Sequence, residues 1–439
     1  MLQKYIKHAK KIMEKLQAAG VEVNPGNYDF MYSHIPQGEL KKAPEGIEKQ
    51  IYENANKEQF SMYVHIPFCA NKCKYCRFTA FSNQQEGFID KYLNYMLEKE
   101  LPLLAQIVDL KSDNLKVIYM GGGTPTYLKE PKLENLLRTI REYTNEKAKI
   151  ELEAHPNTIT DEKLKILKNY GIERLSIGVQ SFNDNLLAAV GREQTTEQAI
   201  NSIKEARKIF DNLNIDLIFG LPFQTINDIK KDIDIIRGLD IPSVTWYQLW
   251  ILSRETGKRL DIDKKRALSD LEMMATKIMI NEELSKNGYF NIYNDWYLKS
   301  EKITPQYEKF RINAQNNVGI GLSPYLFVKP FIFENTDQFK EYFNKIDNEH
   351  LPIAWYKKMN EFELEARRIA MNLKNGKISD INFDKLEEPI KKRIDNLIQN
   401  KILICDGKDL KVSEEFIKIN KDYLSQYILG DKWFIKKKH

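Results

Sequence analysis

Met62-Tyr-Val-His-Ile-Pro-Phe-Cys-Ala-Asn-Lys-Cys-Lys-Tyr-Cys76 is a β-branched and aromatic run that breaks at Pro67 into three closely spaced cysteines. Its first part, 62–66, reads as a buried strand, and the cysteines ride on the loop that leaves it. Runs of the same kind recur at 115–119, 149–153, 173–178, 213–218 and 243–249. Helix-period segments separate them, for example 87–107, 131–143, 160–169, 195–210 and 225–238. Strands alternating with helices imply βαβ units and a parallel sheet. Six such units predict an α/β fold, a partial (β/α)6 barrel of the TIM type rather than a closed eight-stranded one. Most of these units carry a polar or glycine-rich motif just after the strand, where a β/α barrel places its chemistry.

Outward from this core the pattern changes. Residues 1–60 read as an N-terminal helical arm: Leu2, Tyr5, Ile6, Ile12, Met13 and Leu16 share one helix face, and Pro25, Pro36 and Pro44 interrupt the stretch after it. The barrel is expected over 61–300. The C-terminal region, 301–439, predicts helices at 335–347 and 360–374. After them comes a compact unit: helix 384–399, strand 401–405, a turn at Gly407, a strand near 409–412 and helix 413–428. Helix followed by hairpin suggests a winged-helix-like unit. It lacks a basic recognition face, so a structural or substrate-covering role is expected.

The 439 residues include 42% hydrophobic and 29% charged side chains, as in ordinary globular proteins. The net charge of +5 comes from interspersed charges, and the run Lys436–Lys438 reads as a frayed tail, so nucleic acid is not an expected partner. No apolar run is long enough to span a bilayer, and lysines break up any signal-peptide pattern at the start. Four cysteines do not make a disulfide framework. Three of them within eight residues point to metal in a reducing compartment, with the cytoplasm as the default.

Cys69, Cys73 and Cys76 form a C-x3-C-x2-C triplet. Three thiolates on one loop can hold three irons of a cubane and leave the fourth open to a chelating ligand. A structural zinc site is the alternative; it needs a fourth ligand, which His65 could supply. The triplet matches the radical S-adenosylmethionine (SAM) superfamily. More narrowly, the chain resembles the oxygen-independent coproporphyrinogen III oxidase family over roughly 55–330, and more weakly beyond. Tyr63-Val-His-Ile-Pro-Phe-Cys69 is similar to that family's lead-in to the cluster loop. Gly121-Gly122-Gly123-Thr124-Pro125 is similar to its glycine motif, whose backbone can approach a ligand closely. Glu153 resembles the glutamate that binds the methionine part of SAM, Gln180 a ribose or adenosyl contact, and Arg192 the partner of the SAM carboxylate. Asp216, in Asp216-Leu-Ile-Phe-Gly-Leu-Pro222, resembles the aspartate that binds a ribose hydroxyl.

Some positions depart from the oxidase pattern. Phe78 stands where the oxidase carries a further cysteine and resembles the heme-chaperone branch, whereas Glu193-Gln194 after Arg192 is more like the oxidase. His155 replaces a usual Asn or Asp, and reads as a hydrogen bonder or a tolerated strand-end residue. Asn317-Val-Gly319-Ile-Gly321-Leu-Ser323-Pro-Tyr325 resembles a glycine-serine segment also found in class C radical methyltransferases. Trp246-Tyr-Gln-Leu-Trp250 offers alternate residues either to the barrel mouth or to packing under helices. Cys405 is expected as a small core residue.

The resemblance implies a [4Fe–4S] cluster, one or two molecules of SAM, and an electron donor of flavodoxin or ferredoxin type. It implies reductive cleavage of SAM to a 5′-deoxyadenosyl radical that abstracts hydrogen from a small-molecule substrate. Three functions stand as expectations: an oxidoreductase acting on a porphyrin-like or other apolar substrate, placed first; a radical methyltransferase using two SAM molecules; and a heme carrier without turnover.

Overall fold

The structure, a computed structural model, describes residues 2–23, 40–249 and 268–430. Pro25, Pro36, Trp250 and Lys436–Lys438 lie outside them. Six strands form the expected parallel run: β1 (Phe60–Ile66), β2 (Leu115–Gly122), β3 (Lys149–Ala154), β4 (Ile172–Gln180), β5 (Leu213–Phe219) and β6 (Ser243–Gln248). Each pairs in parallel with the next. Helices cross between them, and Thr195 and Thr225 open two of these helices with capping boxes.

The barrel does not close. β1 takes β7 (Asn316–Ile320) on its outer edge, in parallel. Beyond β7 the sheet continues antiparallel through β8 (Tyr325–Val328), β9 (Phe331–Asn335), β10 (Ile353–Lys358) and the short Lys41–Lys42 strand. At the other edge, β6 pairs antiparallel with Trp296–Leu298.

The antiparallel half departs from the sequence expectation. The segment 316–335 is legible in sequence only as a glycine-serine motif, and the helix expected at 335–347 starts at Phe339 because β9 occupies the chain through Asn335. Asn-Asn-Val-Gly-Ile carries little strand signal by itself, and its partner β1 lies some 250 residues away in sequence. In the C-terminal unit the helix expected at 413–428 is shorter, Asp422–Leu429, and a third strand, Lys377–Ile378, joins the hairpin. Cys405 is exposed rather than buried, because its hairpin runs past the core that holds Leu403.

Four helices brace the sheet or one another. α1 (Leu2–Ala18) buries Tyr5, Ala9, Ile12 and Leu16 and packs on α2 (Asp270–Lys286). α3 (Gln306–Ile312) plugs the bottom of the barrel, and Glu151 of β3 accepts the N–H groups of Gln306 and Tyr307 at its start. α4 (Glu361–Leu373) covers the antiparallel half and contacts α3. No helix among the described residues is long and apolar enough to cross a membrane.

Candidate active site

The three cysteines sit where β1 ends, on a loop fixed at several points. Lys74 N–H donates to Val190 O, Cys76 N–H to Cys73 O, and Lys72 Nζ to Ala80 O. Phe68–Cys69 pairs with Phe81–Ser82 as a two-stranded ribbon that carries the first thiol. The thiols are free and partly exposed. Their charges act on one another, and burial pushes Cys69 up and Cys76 up to about 12. Thr124 Oγ1 lies 3.5 Å from Cys69 Sγ, and Arg192 Nη1 donates to Cys73 Sγ at 3.5 Å. Three neighbouring thiols beside a guanidinium suit an anionic iron–sulfur cluster, which compensates burial by taking the thiols as thiolates. A cubane places each thiol on a different iron. Among the described residues no three His, Cys, Asp or Glu side chains converge on a single ion.

His65 is accounted for otherwise than as a zinc ligand. Its Nε2 lies 2.8 Å from Thr79 O and its Nδ1 3.3 Å from the Tyr63 hydroxyl. Burial lowers its pKa to about 4, so the ring is neutral at pH 7. The glycine motif packs around it. Gly122 adopts φ +107°, and a Cβ there would strike the His65 ring; one on Gly123 would lie 2.6 Å from Phe68 O. These glycines are thus required for the approach of β2 to the cysteine loop.

The remaining expected residues converge on the mouth of the barrel. A Cβ on Gly121 would meet the Glu153 carboxylate at 2.7 Å. Glu153 accepts the Tyr119 hydroxyl at 2.6 Å and the Gly122 N–H at 3.2 Å. Burial raises it to about 7, and the charge of Asp216 adds to the effect. Asp216 is raised to about 6, again chiefly by burial, while Asn214 Nδ2 donates to it at 2.9 Å. Gln180 sits at a bulge with φ +70°, unusual for a side-chain-bearing residue, which re-aims it at the strand end. Arg192 is buried and donates to Tyr75 at 3.0 Å, to Gln194 Oε1 at 2.8 Å and to Gly178 O. Tyr63 lies below the loop in a stack with Tyr119 and Tyr307, the last two 4.7 Å apart.

Asn214 of this cleft carried no motif. Asn214 accepts from Ser243 at 2.8 Å and Thr245 at 3.1 Å, while Arg174 donates to Ser243 at 2.7 Å. Thr79 meets Ser323 at 2.7 Å and so ties the cysteine loop to the glycine-serine segment. Alternation along the strands could have flagged Asn214, because it shares a face with Asp216. His155 caps the turn after β3, accepting the Asn157 N–H at 3.1 Å. Trp246 is fully buried in the core, leaving Tyr247 to pack at the mouth with Tyr75 and Leu249. Phe78 is 43% exposed beside the loop.

An open parallel barrel with a three-thiol loop and a glycine turn at its strand ends has the layout expected of an iron–sulfur enzyme that uses SAM. Residues 63–236 match the family described as the radical SAM superfamily. The heme chaperone HemW of Buchnera aphidicola (from Acyrthosiphon pisum) is 31% identical over 265 residues, covering 59% of this chain and 65% of the relative, just under two thirds of its length. The oxygen-independent coproporphyrinogen III oxidase of Synechocystis is 26% identical over 372 residues, 78% of this chain and 76% of that protein. The solved structure of coproporphyrinogen III oxidase HemN from Escherichia coli superposes with a TM-score of 0.80 at 22% identity, covering 93% of this chain and 99% of that one, and shows the same fold. The similarity to the radical SAM superfamily covers less than half of the chain, and its relatives include both heme chaperones and oxygen-independent coproporphyrinogen III oxidases. That superfamily uses a [4Fe–4S] cluster and SAM, which the match over 63–236 implies as cofactors.

Proposed function

We propose that the protein is a radical SAM oxidoreductase acting on a porphyrin-like substrate, with Cys69, Cys73 and Cys76 as the cluster ligands. When bound, the cluster and SAM supply a 5′-deoxyadenosyl radical that takes hydrogen from a substrate carbon. The chain's own part is to hold, orient and shield. Backbone groups at Gly121–Thr124, together with Glu153, would receive the cofactor's ammonium. Arg192, which lies between the cysteine loop and Gly178, would pair with its carboxylate, and Asp216 and Gln180 would take the ribose and adenosyl part. An electron donor of flavodoxin or ferredoxin type would approach the cysteine-loop side, where a cavity of about 600 Å³ lined by Lys72, Lys74, Phe81 and Phe339 reaches Cys73 and Cys76.

The observation that carries this reading is the convergence of Glu153, Asp216 and the glycine turn beside three free thiols at one end of the barrel. A second reading, heme carriage, is favoured by Phe78 at the position of the oxidase's extra cysteine and by the chaperone relatives. The deciding experiment is anaerobic. The cluster is reconstituted, SAM and dithionite are added, and products are quantified by mass spectrometry with and without coproporphyrinogen or heme. Deoxyadenosine with substrate loss supports oxidation. Accompanying S-adenosylhomocysteine points to methyl transfer with a second SAM. A full cluster with tight heme binding and no turnover supports the carrier.

A further inference from the structure

The concave face of the barrel continues onto the antiparallel half of the sheet. Tyr63 of β1 pairs with Gly319 of β7. Asn317 faces Phe327, which sets Gly319 beside Tyr325 of β8. Tyr325 pairs with Glu334, and Glu334 with Trp355 of β10. Directly paired residues share a face, so one row runs from the tyrosine stack of the cleft out to Trp355. Gly319 keeps this row open: a Cβ there would lie 2.8 Å from Tyr63 O.

Arg367 of α4 lies on this face, its guanidinium 4.0 Å from the centre of the Phe327 ring. The residue is only 8% exposed, and its Nε and Nη1 have no hydrogen-bond partner. Arg311 of α3, itself paired with Glu308 at 2.8 Å, and Tyr325 are the titratable groups that act on it. Burial, with Arg311, lowers its pKa to about 10, so it still carries its charge at neutral pH. Proteins pair buried charges because an unpaired one is costly. Here the chain packs a guanidinium against an aromatic ring and leaves two of its donors without a protein partner. That arrangement suits an anion brought from outside.

The neighbours indicate the rest of the ligand. Trp355, in the same row, is 45% exposed. Phe362, in the first turn of α4, is also 46% exposed, but it lies with Ala366, Ile369 and Leu373, about 140° around the helix from Arg367. The Lys357–Glu363 ion pair, 2.6 Å, holds this first turn of α4 against the sheet. An exposed aromatic side chain in the row that also carries Tyr325, with a buried cationic fork on the same face, fits a flat apolar body with carboxylate arms.

We propose that Arg367, with the Glu308-paired Arg311 nearby, receives a carboxylate of the substrate, while Trp355 beds its apolar ring at the rim. This deepens the porphyrin-like reading and rests on it for the identity of the ring. The test uses the reconstituted protein, wild type and Arg367→Met, titrated with coproporphyrin III and with its tetramethyl ester, which has no free carboxylate. The expected result is that the substitution weakens the acid about tenfold or more and changes ester binding little. Equal effects on both, or none on either, overturn the carboxylate contact.

Deoxyadenosine formation in the absence of substrate is measured in parallel and is expected unchanged, so a failure of the radical reading would show separately. If the wild type forms deoxyadenosine but binds neither porphyrin, the tetrapyrrole reading fails, and the anion site is decided by melting in succinate. A succinate-dependent rise in the wild type that Arg367→Met lacks keeps the site; equal responses overturn it. Without ligand, Arg367→Met is expected to melt at or above the wild-type temperature, because it removes an unpaired charge. A clear drop would mean that Arg367 is a structural group and would overturn the assignment.

Discussion

Glu151 and Glu153 lie two residues apart on β3 and point to the same side, yet they belong to different regions of the barrel. Glu151 is buried at the bottom, and its carboxylate is filled by the Gln306 and Tyr307 N–H groups at 2.6 and 3.4 Å. Glu153 stands at the mouth, partly exposed, holding Tyr119 and Gly122 while its remaining side opens to the cleft. Burial raises both above the usual carboxylate range. Perturbation therefore does not separate them. What separates them is whether the chain itself supplies all the partners, and in a β/α barrel that depends on position along the strand.

The hardest test of the mouth as the working end is removal of a thiol. Replacing Cys69, Cys73 or Cys76 by Ala is expected to reduce deoxyadenosine formation to background, with loss of cluster absorbance and little change in far-UV circular dichroism. A variant that kept both its absorbance and its cleavage rate would break the assignment.

The paired glutamates sharpen the contrast next. Glu153→Gln is expected to slow SAM cleavage by about 10–100-fold, as for partners that orient a metal-bound group, with little effect on melting. Glu151→Gln should do the reverse: it turns an amide NH2 toward one of the two backbone donors, costing roughly 1–3 kcal/mol of stability while cleavage stays within a few-fold. Similar profiles for the two variants would show that height in the barrel does not divide their roles.

The same division explains what was legible in the sequence. The parallel half repeats one local unit, so its strands, the cysteine loop and most of the mouth could be read from short motifs. Gly122 and Gly123 are a case where motif and physics agree, since side chains there would strike His65 and Phe68. The antiparallel half is built from pairings distant in sequence, and a chain such as Asn316–Ile320 acquires its strand only by lying beside β1. Asn214, Tyr307 and Arg367 went unread for the same reason: each matters through neighbours from other elements.

A third buried carboxylate, Glu100, behaves like Glu151 but belongs to the mouth's outer support. It accepts the Gly321 N–H at 2.9 and 3.0 Å and the Tyr342 hydroxyl, from a wide helical turn that ends just before Pro102. Burial raises it to about 8. The native state therefore holds a proton that the unfolded chain, with a glutamate near 4.3, releases. That stabilisation is complete below about pH 4 and is lost as pH rises through 8. Melting of the wild type should fall by the equivalent of roughly 2 kcal/mol between pH 6 and 8, and Glu100→Gln should flatten the dependence. Parallel curves for the two proteins would remove Glu100 as its source.

Ser323 gives the smallest effect and the finest cut between the two halves of the sheet. Its hydroxyl meets Thr79 at 2.7 Å, joining the cysteine loop to the segment after β7, while its backbone is held at φ +70°. Alanine would lose the hydrogen bond and keep the left-handed strain. Glycine would lose the same bond but relax the backbone, which is worth about 1 kcal/mol at such a position. Ser323→Ala is therefore expected to cost roughly 1 kcal/mol in denaturant titration, and Ser323→Gly close to nothing. If the hydroxyl pair also holds the loop in place, both variants should lose cleavage equally despite their different stabilities. Cleavage that instead tracks stability would make the bridge a matter of folding alone, and the mouth would then owe its order to the parallel half by itself.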